Sequence, residues 1–213
     1  MTAGVLAEVE RLAKQVEADM VELRRDLHAH PELGRSEVRT TRTLAARLRR
    51  AGLEPRLLAT TGLVCDVPAA QGPPSTDVGG HGEVIALRAD IDALPVRDEK
   101  AVPYRSQVPG VCHACGHDVH TAAVLGAGLV LAELARAGLL HRDVRLVFQP
   151  AEEIMPGGAH DVIDAGGLDG VDRIFALHCD PRLDTGHLGL TVGPITSASD
   201  RILVRLSGQG GHT

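Results

Sequence analysis

Residues 121–153, TAAVLGAGLVLAELARAGLLHRDVRLVFQPAEE, decide the fold. The first half is rich in Ala and Leu, and Glu133 and Arg136 are its only charges, which predicts a helix over 121–137. VRLVF at 144–148 is short, apolar but for Arg145, and β-branched, which predicts a strand. The chain leaves that strand through Gln149-Pro150-Ala151 into two adjacent glutamates, Glu152 and Glu153. A helix feeding a short apolar strand is the building unit of an α/β sheet covered on both faces. In such sheets chemistry collects where strands end at their carboxyl edge.

The same alternation continues outward. Val5, Val9, Leu12, Val16, Met20, Leu23 and Leu27 fall at helical spacing and predict a helix over 4–28. Leu44 and Leu48 mark a second helix over 40–51, closed by Gly52. Short apolar runs at 63–67, 84–87 and 174–177 read as strands, and QGPPSTDVGGHG at 71–82 reads as a hairpin loop. The glycine-rich stretch 157–170 has room for a short helix, and something new begins at 202–206 after the Gly193-Pro194 break. The expected fold is α/β, with a mixed, mainly parallel sheet and helices on both faces. Three of the strands end in polar residues: Asp90 and Asp92 after one, Glu152 and Glu153 after the next, His178 after the third.

Composition excludes several classes. With 44% apolar and 23% charged residues the chain has material for a core. Tyr104, Phe148 and Phe175 are its only aromatic residues besides histidine, so base-stacking surfaces have almost nothing to work with, and a net charge of −6 argues against phosphate-backbone binding. The apolar uncharged run 119–132 is too short to cross a bilayer. Glu8, Glu10 and Lys14 interrupt any apolar leader, so a reducing, cytoplasmic setting is expected, where cysteines are core, catalytic or metal-bound. No nucleic-acid or membrane partner is expected.

The densest chemistry is His113-Ala-Cys115-Gly-His117-Asp118-Val-His120. Thiolate and imidazole together suit zinc or another borderline first-row metal, and an extended loop can aim Cys115 and His117 at one ion. Either residue alone reads more simply as a buried, satisfied core group; four such residues within a few positions do not. Cys112-x-x-Cys115 also admits a thiol-redox or zinc-ribbon reading, although a ribbon needs a second such pair, and Cys65 and Cys179 stand alone. Glu152 and Glu153 could be an ordinary acidic helix start, and Asp90 and Asp92 a hydrogen-bonded turn. The case for a site rests on Cys, His and Glu ligand types meeting at one sheet edge.

Those residues lie in a string of longer motifs: RRDLHAHPELGRSE (24–37), ALRADIDALPVRDE (86–99), HACGHDVHTA (113–122), VFQPAEE (147–153), GGAHDVIDAGGLDGVDRIFALHCDP (157–181) and GQGGHT (208–213). In them the chain resembles the M20 metallopeptidase/amidohydrolase family, in the branch of hippurate, N-acetyl-diaminopimelate and auxin-conjugate hydrolases. The resemblance implies a site for two divalent metal ions (Zn, Mn, Co or Ni) with Cys115, His117, Glu153 and His178 as ligands. It makes Glu152 the catalytic carboxylate and Asp92 the group that orients a ligand histidine. His212 of the GGH motif would reach the substrate of a partner subunit. The implied activity is metal-dependent hydrolysis of the amide of small N-acyl amino acids by a metal-activated water, in a homodimer or higher homo-oligomer when full length.

The resemblance also sets the expected domains. Residues 1–193 would be the N-terminal part of the catalytic domain and 194–213 the start of a small α+β lid, or dimerisation, domain. The family's fifth ligand, a histidine near its C-terminus, has no counterpart in this sequence. A non-catalytic metal-binding fragment or remnant is therefore the first rival, and a thiol enzyme using Cys112 and Cys115 the second.

Overall fold

The computed structural model describes residues 3–69, 84–195 and 202–210. In chain order the elements are α1 (Ala3–Ala29), α2 (Val38–Arg50), β1 (Arg56–Leu57), β2 (Leu63–Val67), β3 (Val84–Asp90), α3 (His117–Arg136), β4 (Val144–Gln149), α4 (Ala159–Asp164) and β5 (Val171–Ala176). The strands form one mixed sheet in the order β1-β2-β4-β3-β5. β4, β3 and β5 run parallel, and β2 and β1 continue the sheet antiparallel. The α/β expectation holds. The loop expected at 71–82 lies outside the described residues.

Both faces of the sheet are covered across β2, β4 and β3. On one, Leu23 and Leu27 of α1, Leu44 and Leu48 of α2 and Leu125 of α3 pack against Leu63, Cys65, Leu146 and Phe148. On the other, Val162 of α4 packs with Leu58, Val64, Ala86 and Val147. This is the strand alternation made physical: odd and even residues of β2 and β4 serve opposite cores. α3 lies close to the sheet because Gly128 has no side chain; a Cβ there would come within 2.3 Å of a Leu146 methyl. Each fully buried Leu or Phe contributes about 1.5–3 kcal/mol relative to exposure, and Phe148, Leu146 and Leu125 are all wholly buried.

Several boundaries differ from the sequence reading, and three of the shifts move polar residues into regular structure. β3 runs to Asp90 rather than stopping at 87, β5 starts at Val171 rather than 174, and α3 starts at His117 rather than 121. The last matters most. Gly116 adopts a left-handed conformation (φ 88°), and its carbonyl accepts the amides of Val119 and His120, which starts the helix there. His117 therefore sits with His120 in a helical first turn and not, as the sequence suggested for Cys115 and His117, in an extended loop.

The chain divides into two units, Met1–Cys179 and Asp180–Thr213. The described residues of the second unit form no helix or strand. Of the lid expected from 194 onward, residues 194–195 and 202–210 are described.

Candidate metal centre

Four chain segments end at one sheet edge. β3 delivers Asp90 and Asp92, the Gly116 turn delivers Cys115, His117 and His120, β4 leads to Glu152 and Glu153, and β5 leads to His178 and Cys179. Cys115 Sγ lies 3.4 Å from His178 Nε2. His117 Nε2 lies 3.7 Å from Glu153 Oε1 and 3.6 Å from Asp90 Oδ2. Ligand atoms of Cys115, His117 and His178 fall within 4.8 Å of one another, and so do those of His117, Glu152 and Glu153. All four sequence-predicted ligands thus converge, with His117 common to both groups.

The arrangement is braced from behind. His117 Nδ1 donates to the Asp92 carbonyl oxygen at 2.9 Å, with the Asp92 carboxylate 3.3 Å away. That fixes the tautomer and turns the Nε2 lone pair toward the carboxylates. Asp92 Oδ2 also accepts the Glu153 amide at 3.0 Å, so one carboxylate orients the histidine and the turn that carries Glu153. Glu37, wholly buried, accepts the Ala151 amide at 2.7 Å and the Thr61 hydroxyl at 2.6 Å. Ala151 has φ 51°, a conformation L-residues rarely adopt, so the Glu37 carboxylate holds the backbone step that leads into Glu152.

Sequence reading missed two of the bracing groups. His120, wholly buried, donates from Nδ1 to Asp90 Oδ1 at 2.7 Å and accepts the Cys179 amide at Nε2, 2.8 Å. Asp90 in turn accepts from Arg88. This bond series ties the end of β3 to the amide beside His178. The signal was present in the sequence as one more histidine in the cluster, but its partners lie 30 and 59 residues away. His212 lies outside the described residues.

The electrostatics suit a cation. Burial works against ionising Asp90, yet its hydrogen bond from His120 and the nearby His117 and Arg88 lower it to about 2. His117 is also penalised by burial, but Asp92, Asp90 and Glu153 outweigh that and raise its pKa. Burial and the neighbouring Glu153 and Asp90 raise Glu152. Burial, then the Glu153 carboxylate, push the Cys115 thiol up to about 12, so only a cation at this edge would draw out its thiolate. His117 Nε2 is buried with no hydrogen-bond partner, an atom that a metal ion would satisfy. Donor set and orphaned nitrogen both fit a divalent ion.

Glu152 and Glu153 differ in setting. Glu153 is half-buried with its amide held, and Glu152 is exposed. Cys112 is not part of this centre; its thiol faces Lys100 Nζ at 3.6 Å. The two cysteines of the CxxC spacing thus serve different polar clusters.

Comparison with known proteins shows the family. Residues 86–207 match Peptidase family M20/M25/M40. An N-acyl-L-amino acid amidohydrolase of Geobacillus stearothermophilus is 38% identical over 96% of this chain and 53% of its own length. An N-acetylcysteine deacetylase of Bacillus subtilis is 41% identical over 91% of this chain and 48% of its own. A Rhodococcus jostii protein named as a glutamate–cysteine ligase is 54% identical over 92% of this chain, but that stretch is only 23% of the larger protein. Among solved structures, the Bacillus subtilis protein YXEP, described as a dinuclear metal binding peptidase from the M20 family, superposes with a TM-score of 0.71 at 40% identity, over 80% of this chain and 45% of that one. The chain spans about half the length of the amidohydrolase and deacetylase relatives.

Proposed function

The chain belongs to peptidase family M20/M25/M40, and from that premise we propose that the protein is a metal-dependent amidohydrolase that cleaves the amide of small N-acyl amino acids. The observation that carries the reading is the convergence of Cys115, His117, Glu153 and His178 at one sheet edge, with Glu152 beside them. These four residues would hold divalent metal, two ions in the reading that the dinuclear M20 relative supports. A thiolate ligand favours zinc, cobalt or nickel over manganese. When bound, the ions polarise the scissile carbonyl and lower the pKa of water.

The protein's own groups supply the rest. Glu152 takes the proton of the attacking water on its carboxylate and passes it to the leaving amine nitrogen. Its raised pKa suits a group that must hold that proton between the two steps. Asp92 keeps His117 in one tautomer and one orientation. Cys115 is a ligand and not a nucleophile, so no acyl-enzyme forms. His212 would complete the substrate site of a partner subunit. A reducing cytoplasm suits a thiolate ligand.

The test is hydrolysis of a panel of N-acyl amino acids, N-acetylcysteine included, by the full-length protein with and without chelator. Chelator-sensitive release of the free amino acid supports the reading. Turnover that survives EDTA would favour thiol chemistry, and stable metal binding without turnover would favour a metal-holding remnant.

A further inference from the structure

A second polar cluster lies outside this centre and has no part in the proposed reaction. His28, Asp98 and Cys112 are all buried, and their ligand atoms fall within 4.8 Å of one another. Around a tetrahedral zinc, N, O and S ligands stand roughly 3.3–3.6 Å apart, so a contraction of about an ångström would bring these three to ligating distance. His28 is prepared as a metal ligand would be. Its Nδ1 donates to Asp118 Oδ2 at 2.7 Å, which leaves on Nε2 a lone pair that accepts from Lys100 Nζ at 3.2 Å, with Asp98 Oδ2 at the same distance. Asp98 is positioned independently by the amides of Lys100 and Ser106.

A cation already stands among these acceptors. Lys100 Nζ lies 3.2 Å from His28 Nε2, 3.1 Å from Asp98 Oδ1 and 3.6 Å from Cys112 Sγ. An ammonium has three N–H donors, and the three acceptors match them. Lys100 differs from its partners in exposure: its side chain is 47% accessible, against 2% for Asp98. Asp98 and Lys100 also line a surface cleft of about 920 Å³, which gives an ion a way in.

We propose that His28 Nε2, Asp98 and Cys112 Sγ form an accessory site for zinc or a similar borderline divalent ion, with the Lys100 ammonium as the competing internal cation. On binding, Lys100 swings into the cleft, the Cys112 thiol releases its proton to water, and the sulfur, nitrogen and carboxylate oxygen take the ion with water in the fourth position. The site is separate from the first centre: it shares no ligand with it. It is nevertheless coupled to it, because the same His28 ring holds Asp118, the residue after His117.

The test uses a Cys115→Ser/His178→Ala background, which removes two ligands of the first centre, and cobalt(II) as a probe whose thiolate charge-transfer absorption reports cysteine ligation. The background protein should still develop that absorption on titration with cobalt, and zinc should bleach it. Adding Cys112→Ser should abolish it, and adding Lys100→Met should tighten cobalt binding by tenfold or more. Absence of the absorption in the background protein, its survival in Cys112→Ser, or unchanged affinity in Lys100→Met would each overturn the proposal. Should the background variant fail to fold, the same titration on otherwise wild-type protein decides it: one cobalt–thiolate site fewer in Cys112→Ser supports the site, and an unchanged number overturns it.

Discussion

β4 and β5 both deliver residues to the metal centre, yet they are built differently. β4 lies between β2 and β3, and all of its residues but Arg145 are buried. β5 is an edge strand, paired among the described residues only with β3, and five of its six residues are exposed, Ile174 and Phe175 among them. The glutamates after β4 therefore stand on a finished core, whereas His178 is placed by one strand pairing and by the His120 bond to the Cys179 amide. A strand with exposed apolar residues on both faces is a surface awaiting cover.

The contrast can be broken in several ways. The largest effect should fall on chemistry at the β4 side. In the full-length protein, Glu152→Gln should lower kcat by about 10²–10⁴ with metal still bound, whereas Glu153→Gln should lose activity and metal together and regain part of both in excess metal. Metal analysis and steady-state kinetics on the two variants check this, and swapped behaviour would exchange their roles. Next comes stability. Phe148→Ala should cost about 3–5 kcal/mol in urea unfolding of this chain, while Phe175→Ala should stay within about 0.5 kcal/mol. Equal losses would mean that β5 is as well packed as β4.

A subtler effect concerns the β5 tether. His120→Leu should weaken metal binding by about 10–100-fold, and His120→Gln, which can both donate and accept, should recover part of it. Unchanged affinity in a folded His120→Leu variant would show that His178 is held by other contacts. The smallest effect is dynamic. Amide hydrogens of β5 should exchange much faster than those of β4, because an edge strand without an apolar cover opens locally at low cost. Equal protection in native-state exchange would remove the distinction between the two strands.

Much of this was legible in the sequence, and the gaps have physical causes. The apolar runs at 63–67 and 144–148 announced the central strands because their residues serve cores on both faces. Periodicity placed the start of α3 four residues late because its first turn is buried yet polar: His117, Asp118 and His120 carry no apolar signal. The ligand types were visible as a cluster, but their bracing was not. Glu37 reaches Ala151 across 114 residues, and His120 reaches Cys179 across 59. Such partners are set by topology, which local spacing does not encode. Lys100 escaped for the same reason, and Cys112 drew notice only through its spacing from Cys115: the fold, not the spacing, brings His28 between them and Asp118.

The central claim is that Cys115, His117, Glu153 and His178 ligate metal together. It is tested most directly by zinc X-ray absorption on protein carrying Cys112→Ser, so that sulfur can be assigned, and loaded with zinc before and after a further Cys115→Ser change. The account predicts a sulfur scatterer at about 2.3 Å with N/O neighbours at about 2.0–2.2 Å, and loss of that sulfur, with an affinity drop of tenfold or more, in Cys115→Ser. A shell without sulfur, or a sulfur that survives Cys115→Ser at equal zinc content, would contradict it.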